Sequence, residues 1–210
     1  MELILIRHGE KQKIAQFNPI NKRNDPPLTK RGKQQAQLTG KFLKSESINK
    51  IYSSDMLRTI QTSEQISQEI RLPVTPQPEL REIYFGDLET GGWENFTTIS
   101  PEIFRIYCRR NTDFNYPNGE SGYEVFQRLS PLIKQLIQNN DSKVALVAHG
   151  GVIRVILCGL LNIPFGHRFN MGFPVYNCSI TRIQHNSTLQ SFQLHQFNVI
   201  SHIPTDLRTG

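Results

Sequence analysis

The sequence predicts an α/β fold with three layers, α/β/α, in which a mostly parallel central sheet carries an antiparallel edge. Two short apolar runs, residues 3–6 and 144–148, lead into His-Gly, as is typical of strands buried in a parallel sheet. Segments with helical spacing of apolar residues separate such runs, which is the alternation expected of α/β proteins. Near the end of the chain, residues 179–184 and 189–197 have the pattern of a hairpin, which supplies the antiparallel edge.

In the first half of the chain, strands alternate with two helices. We predict a first strand over residues 2–6 and a helix that Thr29 caps and that ends at about residue 44. A second strand follows over residues 50–53, and Ser54 or Asp55 caps a helix that ends at about residue 70. A further short strand is predicted at residues 72–74.

In the second half, prolines and glycines mark where helices begin. Pro101 opens a helix that ends at residue 110, because proline is suited to the first helical position. Gly119-Glu120-Ser121 opens the next helix, which ends at about residue 138. Pro131 lies inside it and is expected to remove one hydrogen bond and bend the helix. The last predicted elements before the hairpin are a strand over 144–148 and a helix over 152–161.

The composition is that of a globular protein with room for a full core. The 210 residues are 37% hydrophobic and 20% charged, and the net charge of +6 favours anionic partners. The basic residues are interspersed, which is typical of a solvated surface and argues against nucleic acid as a partner. No apolar segment has the length of a membrane span or a signal peptide. Three cysteines without CxxC spacing indicate a reducing compartment, so we expect a cytoplasmic protein.

Charged side chains gather where the predicted strands end. Arg7 and His8 follow the first strand, and Arg58 lies in the first turn of the helix after the second strand. His149 follows the strand over residues 144–148. Ligands of open α/β sheets bind beyond the carboxyl ends of the strands, so we expect these four side chains to converge on one edge.

A helix amino end is expected beside these cations. Gly150 and Gly151 would open the helix after His149, where free amides and the helix dipole attract anions. Two guanidiniums, two imidazoles and such a helix end form a binding site for a tetrahedral dianion, and a phosphoryl group is the expected ligand. Each residue alone also fits an ordinary structural role, but their joint placement at three strand ends favours a site.

Six segments occur along the chain in an order that points to one family. They are LIRHGE at 5–10, LTKRG at 28–32, SSDMLRTIQT at 53–62, LREIYFGDLE at 80–89, GES at 119–121 and VAHGGVIR at 147–154. In this order they resemble the histidine phosphatase superfamily, which includes cofactor-dependent phosphoglycerate mutases and α-ribazole phosphatase. The resemblance implies one phosphoglycerate mutase-like domain over residues 1–210, with a lid-like insertion around residues 88–120.

The same resemblance implies a reaction. A small phosphorylated metabolite would be hydrolysed through a phosphohistidine, by a histidine acid phosphatase-type phosphomonoesterase. His8 would be the nucleophile, and Glu82 would protonate the leaving group and then deprotonate the attacking water. The other catalytic residues and phosphate contacts that it implies are Arg7, Arg58, His149 and Gly150. Arginines supply the positive charge, so we expect no metal and no cofactor; the chain is expected to be a monomer or a homodimer.

Two other functions remain open. A phosphoglycerate mutase-type phosphotransferase would have to keep water away from the phosphoenzyme. Ile14 stands where mutase-like proteins carry an asparagine, and Thr90 where they carry a glycine, so both departures favour hydrolysis. A non-catalytic module that binds phosphorylated ligands is the second alternative, and the presence of His8 and Glu82 argues against it.

Substrate choice is expected to depend on the stretch between residues 90 and 116. Its aromatic and basic side chains would suit a substrate with an apolar or ring portion and a second negative group, or would simply pack the lid. They are Trp93, Phe96, Phe104, Arg105, Tyr107, Arg109 and Arg110. Four further cations are expected at the surface, with a positive field around the entrance as the alternative. They are Lys11, Lys13, Lys22 and Arg23.

Overall fold

The central feature of the computed structural model is a six-stranded mixed sheet. The structure describes residues 1–14, 17–19, 23–139, 141–172 and 174–210. The sheet strands are β1 (Glu2–Arg7), β4 (Lys50–Ser53), β5 (Val74–Pro76), β6 (Lys143–Ala148), β7 (Ile180–Asn186) and β8 (Ser191–Val199), and a separate two-residue pair is formed by β2 (Phe17–Asn18) and β3 (Arg23–Asn24).

The strand order in the sheet is β5-β4-β6-β1-β7-β8. The first four of these strands are parallel to their neighbours, and β7 and β8 are antiparallel. The predicted mostly parallel sheet with an antiparallel edge is therefore confirmed. The parallel strands need crossover connections, and the helices that supply them cover both faces.

Helices lie on both faces of the sheet. They are α1 (Lys30–Leu43), α2 (Leu57–Ile70), α3 (Asp87–Gly91), α4 (Phe96–Ile99), α5 (Pro101–Arg109), α6 (Gly122–Gln138) and α7 (Gly150–Leu160). Side chains of β1 alternate between the two layers, because successive residues of a strand point to opposite faces. Leu3 and Leu5 pack with α6 and α7, whereas Ile4 and Ile6 pack with α1 and α2.

Most predicted helix starts are confirmed, and one is wrong. The Thr29 hydroxyl accepts a hydrogen bond from the Gly32 amide at 2.9 Å, as its capping role predicts. Ser121 caps α6 in a capping box with Glu124. Pro101 begins α5 as expected.

The helix α2 is the exception, because neither Ser54 nor Asp55 caps it. The helix begins at Leu57, and its first amide donates to Asp25 Oδ1 of a distant loop at 2.8 Å. Asp55 instead accepts from Arg81 Nε at 2.7 Å. A side chain remote in sequence has replaced the local cap.

Other differences concern boundaries. The strand predicted at 72–74 is β5 at Val74–Pro76, and α7 begins at Gly150, two residues before the predicted start at 152. The helix α6 continues through Pro131 to Gln138. None of the helices in the described ranges combines the length and apolar character needed to cross a bilayer.

Candidate active site

Two histidines meet at the ends of two neighbouring strands. Arg7 and Ala148 are register partners in the parallel pair of β1 and β6, so His8 and His149 leave the sheet side by side. The His8 amide donates to the Ala148 carbonyl at 3.0 Å, and the two imidazole centroids are 5.2 Å apart. Both side chains are buried, at 3% and 0% exposure. The structure thus brings His8 and His149 together at these two strand ends, as the sequence predicts.

The contacts of His8 determine its tautomer. His8 Nδ1 lies 2.7 Å from the Gly9 carbonyl oxygen, which can only accept, so Nδ1 carries the proton. The lone pair is then on Nε2. Burial, followed by the charges of Arg58 and Arg7, holds the pKa of His8 well below its usual value of 6.5. The ring is therefore neutral at neutral pH.

Two arginines lie beside this imidazole. Arg7 Nη1 donates to the Val175 carbonyl, and Arg7 Nε has no acceptor among the described residues. Burial lowers the pKa of Arg7 to about 10, which leaves the guanidinium charged at neutral pH. Arg58, on the first turn of α2, is 6% exposed, and its Nε also has no acceptor in the described part of the chain.

A buried aspartate that sequence reasoning missed holds Arg58. Asp25 is 2% exposed and lies 3.5 Å from Arg58 Nη1, while its carboxylate also accepts from the Leu57 amide. Asn18 Nδ2 donates to its other oxygen at 3.1 Å. In the sequence, Asp25 precedes two prolines and has the pattern of a turn, so only the tertiary fold reveals it as a partner of the arginine.

His149 is held from one side only. Its Nε2 lies 3.0 Å from Ser54 Oγ, and its Nδ1 has no partner among the residues that the structure describes. Burial, with Arg58 and His8 as further causes, holds the pKa of His149 well below 6.5. A dianion placed against His8, Arg7 and Arg58 would oppose these effects and favour the charged imidazole.

The Glu82 carboxylate lies on the amino end of α7. It accepts hydrogen bonds from the amides of Gly151 at 3.3 Å, Val152 at 3.2 Å and Ile83 at 3.0 Å. The anion on these helix amides is thus a side chain of the chain itself, which the sequence did not predict. Gly150 precedes this contact and lies against the Arg7 side chain.

Gly151 has no room for a side chain. A Cβ built on it would lie 2.6 Å from Glu82 Oε1 and 2.9 Å from Ile83 Cδ1. The glycine therefore lets Glu82 approach the helix end closely.

His8 opens into a cavity of about 430 Å³. Its charged lining residues are Arg7, Lys11, Arg23, Arg58, Glu82, Glu89 and Glu94. Lys11 and Arg23 thus lie at the cavity that contains His8, not merely on the outer surface; Lys13 lines a neighbouring cavity, and Lys22 lies outside the described residues. The half-buried Glu89 is one of three glutamates among the described residues that line this cavity, and burial raises its pKa.

A second cavity, of about 440 Å³, adjoins the first, and only some of the residues predicted to contact the substrate line it. Trp93 and Tyr107 line it, whereas Phe96 and Phe104 pack against the main core cluster. The three lid arginines of the prediction are exposed and do not line either cavity: Arg105, Arg109 and Arg110. The cations of this second cavity are Arg7, Arg154 and Arg168, of which the last two were not predicted there.

This chain belongs to the histidine phosphatase superfamily, because residues 3–199 match the model of its branch 1. The predicted resemblance is confirmed, and the superfamily comprises phosphatases and mutases. The description "histidine acid phosphatase-type" is imprecise, because the match is to branch 1 as a whole.

Curated relatives and solved structures agree with this assignment. The probable phosphoglycerate mutase GpmB of Escherichia fergusonii is 32% identical over 189 residues, which is 90% of this chain and 86% of that protein. The fold is that of a mycobacterial glucosyl-3-phosphoglycerate phosphatase in complex with inorganic phosphate, at a TM-score of 0.82, 24% identity and coverage of 97% of this chain and 99% of that chain. A putative alpha-ribazole-5'-P phosphatase from Escherichia coli is 26% identical, at a TM-score of 0.76 over 95% of this chain and 96% of that chain.

Proposed function

We propose that the protein hydrolyses phosphomonoesters of small metabolites through a phosphohistidine on His8, without a metal ion. The observation that carries this proposal is the buried, neutral imidazole of His8, with Nδ1 held by Gly9 and Nε2 left to attack. Such an imidazole is a nucleophile at neutral pH, and covalent catalysis divides a difficult hydrolysis into two easier steps.

The first step transfers the phosphoryl group to the protein. His8 Nε2 forms a bond to phosphorus while the bond between phosphorus and the ester oxygen breaks, and protonated Glu82 gives its proton to the departing oxygen. In the second step, Glu82 removes a proton from water, the water oxygen bonds to phosphorus and the N–P bond breaks. The products are an alcohol and inorganic phosphate, and His8 returns to its starting state.

The cations around His8 stabilise the transferring group. Arg7 and Arg58 each have a donor nitrogen without a partner among the described residues, and such donors suit the oxygens of a phosphoryl group. His149 Nδ1 also has no partner there and becomes a donor when a bound dianion favours the protonated ring. Gly150 is proposed as a further phosphate contact. Asp25 acts through Arg58, because its ion pair holds the guanidinium in place.

We propose that residues 1–210 form one domain and that residues 88–120 act as a lid over the site. The lid is supported by Leu88, Gly92 and Trp93, which line the cavity of His8.

We also propose a reducing compartment such as the cytoplasm, supported by three cysteines that are all free thiols.

The alternative is a phosphoglycerate mutase, and the name of the curated relatives favours it. Against it, Ile14 stands in place of the mutase asparagine and is 75% exposed. Incubation with 3-phosphoglycerate separates the two functions, because a mutase yields 2-phosphoglycerate faster than it releases inorganic phosphate.

The substitution His8→Ala tests the nucleophile. We expect p-nitrophenyl phosphate hydrolysis in EDTA to fall by about 10³-fold or more, as for loss of a covalent nucleophile, and the circular dichroism spectrum to stay that of the wild-type protein. Labelled phosphate from a substrate should be trapped on the wild-type protein after rapid quenching in alkali, and not on the variant.

A matched control is His195→Ala, since this histidine is exposed on β8 and does not line the cavity of His8. It should keep wild-type turnover. Retention of near wild-type activity by His8→Ala, or a strict requirement for Mg²⁺ or Zn²⁺, would contradict the proposal.

A further inference from the structure

The second cavity adjoins the one that contains His8. Arg7, Glu82, Phe85 and Trp93 line both. The second cavity has a volume of about 440 Å³, which is ample for a small ring system. An ester bound at His8 can therefore extend its leaving group past Glu82 into this space.

The walls of this cavity are aromatic and braced against one another. The aromatic lining residues are Phe85, Trp93, Tyr107, Tyr116 and Phe169. The Trp93 ring centroid lies 5.1 Å from that of Phe85 and 6.1 Å from that of Tyr107, and the Tyr107 ring lies 5.4 Å from that of Phe169. Such contacts form a preorganised apolar surface on which a ring can stack.

Two buried arginines lie at the same cavity. Arg154 is 5% exposed and its Nη2 donates to the Gly172 carbonyl at 2.8 Å. Arg168 is 1% exposed, and its Nη1 contacts Asp113 Oδ1 at 2.5 Å and the Phe165 carbonyl at 2.8 Å. Glu82 is the only acidic side chain that lines this cavity in the described part of the chain, whereas three arginines line it.

Asp113 is the carboxylate partner of Arg168 among the described residues, and Tyr116 also lies within hydrogen-bonding reach of this guanidinium. The guanidinium lies over the rings of Phe114 and Phe169 at 5.0 and 4.7 Å. Nε and Nη2 form one side of the guanidinium fork, and their two parallel N–H bonds match the two oxygens of a carboxylate. A buried cation is costly, and Arg168 shares its cavity with two further arginines, which favours an anionic ligand there.

We propose that this cavity binds the leaving-group half of the substrate, and that this half is a ring or other apolar body that carries a carboxylate. The aromatic walls hold the ring, and Arg168 with Arg154 receives the carboxylate. The inference rests on the proposed hydrolysis at His8, because the cavity is assigned to the part of the ester that departs.

Two isosteric esters test it. The kcat/KM of the wild-type protein is measured with 4-carboxyphenyl phosphate and with 4-carbamoylphenyl phosphate, which differ in one charge. The amide is the more electron-withdrawing substituent, so leaving-group chemistry alone favours the carbamoyl ester. We expect the carboxylate ester to be preferred by about tenfold or more, which is the effect of a hydrogen-bonded charge on binding.

Two variants test which arginines cause the preference for the carboxylate ester. Arg168→Lys keeps a cation near Asp113 but removes the fork, and Arg154→Gln removes the second charge; both should bring the ratio of the two kcat/KM values towards one. Arg105→Lys is the matched control, because this exposed arginine of α5 does not line the cavity, and it should keep the wild-type ratio.

The outcomes separate the two proposals. If the wild-type protein hydrolyses both esters without preferring the carboxylate, the inference is overturned and the proposed function stands. If it hydrolyses neither, the proposed function fails and the inference fails with it. The wild-type comparison requires no variant, so the test holds even where Arg168→Lys does not fold.

Discussion

The chemistry available to His8 depends on what its two ring nitrogens contact. The Gly9 carbonyl is the next peptide along the chain, and it binds Nδ1 at 2.7 Å. A nearest-neighbour peptide cannot move away without distorting the backbone, so it keeps the tautomer constant. Burial and the charges of Arg58 and Arg7 disfavour protonation of the ring, so Nε2 stays available.

Glu82 is the residue whose proposed role is most easily separated from general damage. Glu82→Gln removes the ionisable proton at nearly constant shape, so the loss should be greatest for esters with poor leaving groups. We expect kcat/KM for phenyl phosphate to fall by about 10²-fold or more, as for loss of a general acid, and that for p-nitrophenyl phosphate to fall much less.

The reason for this difference is that nitrophenolate hardly needs a proton when it departs. Glu102→Gln provides a control, since this carboxylate is exposed on α5. An equal loss on both esters in the Glu82 variant would remove it from the acid role.

Among the elements, α7 organises the site through its first turn. His149 precedes the helix, and the amides of Gly151 and Val152 hold the Glu82 carboxylate. The first amides of a helix have no acceptor within the helix, so they are available to hold the Glu82 carboxyl group by hydrogen bonds. The amino end of α7 therefore fixes the position of His149, which is proposed to bind phosphate, relative to Glu82, the proposed acid.

The substitution Gly151→Ala tests this arrangement. Alanine favours a helix by about 0.5–1 kcal/mol over glycine, so helix propensity alone predicts a more stable protein. The added methyl group would meet Glu82 Oε1 at 2.6 Å, so the carboxylate must move. We expect kcat/KM for phenyl phosphate to fall more than that for p-nitrophenyl phosphate, the same pattern that we expect for Glu82→Gln.

The neighbouring substitution Gly150→Ala is the comparison. A Cβ there would lie 3.6 Å from Arg7 Nε, which is an ordinary contact distance, and no Glu82 atom is among its nearest neighbours. Any effect should therefore be shared by both esters. A Gly151 variant that also affects the two esters alike would show that the glycine does not position Glu82.

For the molecule as a whole, buried neutral histidines link folding to pH. The folded-state pKa values of His8 and His149 lie well below 6.5, whereas in the unfolded chain they return to the usual value. The unfolded state therefore binds more protons below about pH 6.5, so stability is full above that pH and falls as the pH decreases. Each histidine can contribute at most about 1.4 kcal/mol per pH unit.

We expect the free energy of unfolding in urea to decrease from about pH 7 to about pH 5, and the slope to become smaller in His149→Gln. Inorganic phosphate should reduce the loss, because a bound dianion favours the protonated imidazole. His195→Ala, at an exposed position, should keep the wild-type slope. An unchanged slope in His149→Gln would contradict the buried, neutral state of this side chain.

The sequence by itself determined the fold class, the family and the strand ends at which the candidate site lies. Apolar runs before Arg7-His8 and His149-Gly150 predict buried parallel strands, and ordered motifs carry the resemblance that the family match confirms. Local signals also placed the Thr29 cap and the start of α6 after Ser121 correctly, because such signals involve only residues within about one helical turn.

Only the tertiary structure decided which side chains meet across the sheet. Three contacts join segments that are remote in sequence. Asp25 takes the place of a local cap for α2, and Glu82 accepts from the amides of α7. Arg154 and Arg168 line a cavity with aromatic residues from other segments. Such pairings depend on where each loop lies relative to the sheet after a crossover connection. The hydrophobic periodicity of the sequence gives no information about that position. Burial then gives these pairings their strength, because charges removed from water require partners that only the folded chain supplies.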